Sequence, residues 1–218
     1  MDTAKKSDTG ISCGVQSATT ENNSDKQSHE RLKAIHRVEE AKMRYHVGQV
    51  TTLEDLRKVF ELRHKIYCVK LGAYPITENQ MEMDQSDPFS EHFIATVDEK
   101  CIGTLRLIHL VDNVFPMETR GHVLPDWIPR STTLELSRLI AIYDVEEHKT
   151  SLDLTHQAYD WAIKNQITHL VYSGNTMTRA AMKRQRVIAD PIGEPILHHN
   201  DSHVPLVIPL GERDRFPW

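Results

Sequence analysis

The sequence predicts one α/β (α+β) domain in which a mixed central β-sheet is flanked by helices. Segments with helical apolar spacing and short runs of strand character follow in the order helix, hairpin, strand, helix, strand, helix, strand. With 218 residues, 39% of them hydrophobic, the chain can build a single sizeable core. It shows no internal repeat.

Residues 1–28 are rich in Ser, Thr, Asn, Asp and Lys and hold almost no large apolar side chain, so a polar disordered tail is expected there. Residues 29–45, "HERLKAIHRVEEAKMRY", space Leu32, Ile35 and Val38 three apart and predict an N-terminal helix. The main domain is then 46–218. Its first long segment is "TTLEDLRKVFELRHKIYCVKLG", with a capping box from Thr51 to Glu54 and a stop at Gly72. Leu56, Phe60, Arg63 and Tyr67 fall on one face of that helix, so Arg63 points at the core.

"HFIATVDEKCIGTLRLIHL" reads as a hairpin turning at "DEKC", with Ile102, Thr104, Arg106 and Ile108 on one face of its second strand. The loop "NVFPMETRGHVLPDWIPRS" leads to "TTLELSRLIAI", Thr132 to Ile142, whose apolar residues suit a strand covered on both faces. "SLDLTHQAYDWAIKNQ" is an amphipathic helix, with Leu154, Ala158, Trp161 and Ala162 on one side. "THLVY" follows as a strand and "TMTRAAMKRQRVI" as a basic helix. "HVPLVIPL" is a last strand whose prolines suggest an edge or a bulge.

A net charge of −5 offers no global attraction to nucleic acid or anionic lipid. No apolar run is long enough to span a membrane, and the first residues lack the apolar stretch of a secretory signal. Cys13, Cys68 and Cys101 are odd in number and lack zinc-type spacing, which fits free thiols in the cytoplasm. His198, His199 and His203 in "HHNDSH" read as a polar loop, and no metal site is expected. "YSGN" lacks the glycine pattern of a nucleophile elbow.

Arg63, Arg106 and Arg138 all sit in apolar frames. Facing them in the sequence are Glu135 and the loop acids Asp84 and Asp87 of "EMDQSDP". Buried ions are costly unless paired and hydrogen-bonded, so these six need one another. They form either a neutral network that fixes the loop to the sheet or the lining of a cleft for a zwitterion such as an amino acid. Strand alternation puts Glu135 and Ser137 on one face and Leu136, Arg138 and Ile140 on the other unless a bulge intervenes. Arg138 is therefore expected in the ion network and Glu135 in the cleft.

"LRHKIYCVKLG", "EMDQSD", "GTLRL" and "LELSRL", in this order and at these intervals, resemble the acyl-homoserine lactone synthases and N-acyl amino acid synthases of the GNAT superfamily. The resemblance runs from about Val50 to about Ile142, and "GEPILHHNDSHVPLVIPL" is similar to the C-terminal strands of the second group. It implies a single GNAT-like acyltransferase domain. The implied reaction moves a fatty acyl group from the phosphopantetheine thioester of an acyl carrier protein to a small amine, with no bound cofactor. It also implies a catalytic set of Glu135, Asp84 and Asp87, with Glu135 as base, and a substrate-binding ion network of Arg63, Tyr67, Arg106 and Arg138.

Lactone synthases usually carry a tryptophan where this chain has Ala73. That departure favours N-acyl amino acid synthesis over lactone formation from S-adenosylmethionine; a non-catalytic acyl-binding protein is the third reading. Where ordinary superfamily members hold a pyrophosphate on glycine-rich backbone, "YDVEEHKTSLD" is acidic and glycine-free, which suits a carrier-protein donor. Arg179, Lys183, Arg184 and Arg186 of the basic helix would meet an acidic carrier. The oxyanion donor is expected to be a backbone N–H of the Thr132–Ile142 strand, freed by a bulge.

Overall fold

Residues 28–33, 45–142, 149–198 and 200–211 are described in this computed structural model. The chain divides into two units, Met1–Met43 and Arg44–Trp218. In the first, residues 28–33 form an exposed helical segment, α1. The remainder of the expected 29–45 helix, up to Arg44, and the tail before Ser28 lie outside the described residues. Tyr45, placed in that helix by its spacing, instead opens a strand.

The second unit holds a sheet in the order β1-β2-β3-β4-β5-β8-β6, with β7 paired to β8. Its strands are β1 (Tyr45–Gln49), β2 (Ser90–Val97), β3 (Lys100–Ile108), β4 (Thr133–Ala141), β5 (His169–Gly174), β6 (Asp190–Pro191), β7 (Ile196–His198) and β8 (Asp201–Pro209). The helices are α2 (Leu53–Arg63), α3 (Pro116–Thr119), α4 (Thr150–Lys164) and α5 (Thr176–Arg184). β4 and β5 run parallel, and the other described pairings are antiparallel. Among the described residues no helix is long and apolar enough to cross a membrane.

Helix α2 starts one residue later than the expected box. Thr52 has the extended backbone of a cap, and its hydroxyl accepts the Asp55 N–H at 3.1 Å. The helix then widens into a π-helix over His64–Lys70 instead of continuing as α, before Gly72, at φ +60°, ends it. The β2–β3 turn is tighter than "DEKC": Asp98 and Glu99, both at positive φ, form a two-residue reversal, and Lys100 and Cys101 already belong to β3. The final strand, expected at an edge or with a bulge, is interior and pairs with β5 in unbroken register. β8 lies between β5 and β6, and the β7–β8 hairpin takes in residues read as a polar loop, pairing His198 with Asp201.

Successive residues of each strand feed opposite cores. Phe93, Leu105, Leu107, Leu134, Leu136 and Leu170 pack with Leu154 and Ala158 of α4. Gly103 permits that contact, since a Cβ there would lie 2.7 Å from Thr150 and 2.9 Å from Leu154. On the other face Val171 and Val207 meet Phe115, Met117, Leu124 and Ile128, while Ile94 meets Val59 and Phe60 of α2. That second face is thus covered by two separate pieces, α2 and the 115–128 segment.

Candidate active site

β4 carries the two irregularities that open a site. Its register with β3 shifts between Thr104↔Ile140 and Arg106↔Ser137, so Leu105 faces both Arg138 and Leu139. Arg138 absorbs the extra residue at φ +53°, rare for a residue with a Cβ. This bulge breaks the alternation and turns Arg138 toward Glu82, which also holds Arg63, and Asp84, which also holds Arg106. Towards β5, pairing lasts only from Thr133↔His169 to Glu135↔Val171. Beyond Glu135 the strands part, and a cavity of about 560 Å³ lies between them.

Arg63, Arg106 and Arg138 form one network with Glu82, Asp84 and Asp87. Arg63 is fully buried; its Nε donates to Glu82 Oε2 at 2.5 Å and its two Nη atoms to Asp87 at 2.7 and 3.3 Å. Arg106 forks onto both oxygens of Asp84 at 2.8 and 3.0 Å, reaches Asp87 at 2.6 Å and donates from Nε to Ser137 Oγ at 3.0 Å. Arg138 donates to Glu82 at 2.6 and 3.2 Å and to Asp84 at 3.0 Å. Its guanidinium lies 5.3 Å from the Tyr67 ring centre and 4.8 Å from that of Tyr74. Three cations meet three anions, so the cluster is neutral.

The third anion is Glu82, which the sequence reading did not name; Glu135, pooled with Asp84 and Asp87 as a possible partner and expected in the cleft, stands outside the network. Glu135 sits beyond Ser137 on the same face, and the 115–128 segment reaches it first. Its Oε2 accepts the Met117 N–H and its Oε1 accepts from Arg120, each at 2.7 Å. Glu135 is 1% exposed, and burial pushes its carboxyl above the ordinary glutamate range, against the pull of Arg120 and the Met117 amide.

The cavity is lined by Glu135, Ser137, Arg138, Tyr67 and Arg120 on one side and by Tyr172 and Ser173 on the other. Arg63, Arg106, Asp84 and Asp87 stand behind that wall and do not line it. Burial pushes the Tyr67 phenol up to about 12, so it remains a neutral donor. A buried carboxylate beside a half-free guanidinium, at an unpaired strand edge, can take a proton from an ammonium and hold a carboxylate nearby. Among the described residues, no group of three His, Cys, Asp or Glu is arranged to hold a metal ion.

Residues 58–208 match the family model of the N-acyl amino acid synthase FeeM. The chain belongs to the FeeM family of N-acyl amino acid synthases.

Solved structures agree with the fold. TofI, in a ternary complex with an inhibitor and MTA, is 20% identical with a TM-score of 0.62, over 77% of this chain and 91% of its own. BjaI, a CoA-dependent acyl-homoserine lactone synthase with SAM and isopentyl-CoA, is 18% identical with a TM-score of 0.65, over 78% and 85%. FeeM itself, from uncultured soil microbes, is 14% identical with a TM-score of 0.58, over 80% and 95%. No curated protein matches. The synthase is an acyltransferase that transfers an acyl group to an amine, on the fold that these structures share.

Several residues of this synthase's site were not legible in the sequence. Glu82 is separated from Asp84 only by Met83, and no apolar frame marks it. Arg120 and Tyr74 lie in loops, where periodicity says nothing about direction. Arg179, Lys183 and Arg184 share α5 as expected, but Arg186 follows the helix at φ +58°. The acidic segment before α4 lies outside the described residues at 143–148.

The network also sets an acid limit on stability. Burial raises Glu82, Asp84 and Asp87, but the arginines more than reverse this and hold all three below their ordinary values. A depressed folded value stabilises fully above the unfolded range and is lost as pH falls through it. Glu135, which is raised, has the opposite sign and loses its contribution as pH rises. The urea midpoint should begin to fall below about pH 6.5, where unfolded imidazoles take up protons that buried His92 and His122 resist, and fall steeply below about pH 4, where unfolded carboxyls titrate. A flat midpoint down to strong acid would contradict the network's ionised state.

Proposed function

We propose that the synthase transfers a fatty acyl group from an acyl carrier protein thioester to the amine of an amino acid, in the cavity where β4 and β5 part. One observation carries this reading: the same cavity holds Glu135, the exposed edge of Arg120 and the unpaired side of β4. Glu135 takes the proton that an incoming ammonium must lose. Its raised affinity for protons suits a base near neutral pH. Arg120, about a third exposed, has one nitrogen on Glu135 and others available for the acceptor's carboxylate. The β5-facing backbone of Leu136–Leu139 supplies N–H donors for the oxyanion.

In this scheme Asp84 and Asp87 hold arginines and do not touch the substrate. Arg63 and Arg106 brace the wall, and Arg138 and Tyr67 face the acceptor. Free Cys68 and Cys101 accord with a cytoplasmic site of action. Arg179, Lys183 and Arg186 rim a second cavity of about 430 Å³, floored by Tyr172, Met182, Val187 and Leu206. Tyr172 borders both cavities, so a cationic, apolar-floored entry adjoins the reaction cleft. That suits an acidic carrier delivering an acylated arm. Reversing charge with R179E/K183E should raise KM for the acyl carrier about tenfold, leave kcat within about twofold and flatten the salt dependence of kcat/KM. Unchanged KM would remove the docking assignment.

The reading is tested by incubating the protein with mixed long-chain acyl carrier thioesters and all common amino acids, then identifying products by mass. An N-acyl amino acid is expected. Absence of any acylated amine would overturn the proposal, and a lactone formed only with S-adenosylmethionine would replace it.

A further inference from the structure

We propose that Ser173 is the proton donor to the departing thiolate, held by His122 and recharged by His203; this rests on the acyl transfer proposed above. Ser173 lies on β5, two residues beyond Val171, which pairs with Glu135, so its side chain emerges on the face that carries Glu135. Its Oγ is 2.8 Å from His122 Nε2 and 3.2 Å from His203 Nδ1. Ser173 and His203 line the reaction cavity, while His122 stands behind them, 3% exposed. The three residues come from the 115–128 segment, β5 and β8, and nothing in their spacing announces the contact.

The reaction itself calls for such a group. An ammonium that becomes an amide nitrogen sheds two protons, one to permit attack and one as the tetrahedral adduct collapses. The thiolate needs one of them. Glu135 handles one at a time, and each of its oxygens already accepts from the 115–128 segment. A second proton carrier on the opposite wall separates the two transfers.

His122 Nδ1 is buried without a hydrogen-bond partner. A buried acceptor without a donor is more often tolerated than a buried N–H without an acceptor, so the His122 proton belongs on Nε2, aimed at Ser173. In this scheme His203 takes the tautomer that donates from Nδ1, so both lone pairs of the serine oxygen are engaged and its own proton points into the cavity. When the C–S bond breaks, its electron pair goes to sulfur and the Ser173 proton follows. The His203 Nδ1 proton replaces it on Oγ, and the proton shed by the acceptor nitrogen restores the imidazole, so one proton has moved from nitrogen to sulfur.

Leaving-group dependence tests this. With dodecanoyl-pantetheine and an amino-acid pool, S173A and H203Q should slow amide formation about 10- to 100-fold, the scale of a lost general acid. With the 4-nitrothiophenol thioester, whose thiolate needs no proton to leave, both should match wild type within about twofold. Equal slowing with both donors would overturn the proposal and leave Ser173 a packing residue. Independently of turnover, free pantetheine should shift the imidazole ¹⁵N resonances of His122 and His203 in labelled wild type and not in S173A. Unmoved wild-type resonances would overturn it too. If wild type makes no amide from either thioester, the acyl-transfer reading fails while the ¹⁵N titration still decides whether this chain meets the sulfur.

Discussion

Arg63→Met is expected to lower the free energy of unfolding by about 3–5 kcal/mol, the usual result of removing one partner from a buried ion pair. Methionine fills much of the volume, so the loss is electrostatic. Glu82 and Asp87 have side chains 6% and 5% exposed and would keep only Arg138 and Arg106. The cluster would change from neutral to one net negative charge, left on the buried side where Glu82 and Asp87 lie. Arg57 on the same helix pairs with Glu61 at 2.8 Å but is 71% exposed, so Arg57→Met should cost within about 0.5 kcal/mol. Urea unfolding of both variants, with unchanged slope, makes the comparison. A loss under about 1 kcal/mol for Arg63→Met would mean that water reaches the cluster.

Glu135→Gln should lower kcat by about 10²- to 10⁴-fold, the contribution of a positioned general base. Burial lifts the Glu135 carboxyl, so wild-type kcat should rise with pH along a limb above the ordinary glutamate range. The variant should lack that limb, whatever its residual rate. Its amide must turn an N–H₂ toward either the Met117 N–H or Arg120, a donor against a donor, at a cost of about 1–3 kcal/mol. Circular dichroism and a urea midpoint separate that cost from lost chemistry. A variant that turns over at the wild-type rate with saturating acceptor would move the base elsewhere in the cavity.

The elements that pack by periodic apolar spacing were legible residue by residue. α4 shows it: Leu154, Ala158 and Ala162 bury as their spacing predicts. β1 did not, because "YHVGQ" is a short edge strand paired on one side and carries no apolar alternation. β8 misled through its prolines, which in fact sit in a strand flanked by β5 and the two-residue β6. Arg63, Arg106 and Arg138 announced a cluster because charge in an apolar frame demands partners, and the loop acids Asp84 and Asp87 stood as candidates to meet that demand. Glu82, in a loop, made no such demand on the page.

By itself, the sequence determined the order of the longer helices and strands, the burial of three arginines and the need for as many carboxylates. Each follows from forces that act along the chain: apolar periodicity and the cost of a lone ion out of water. Which carboxylates answer, and where the cleft opens, was decided by tertiary structure alone. The bulge at Arg138 turns that side chain onto Glu82, and the parting of β4 from β5 after Glu135 makes the cavity. Both depend on the register between strands distant in sequence, set by side chains packing from two faces at once, which no local pattern records.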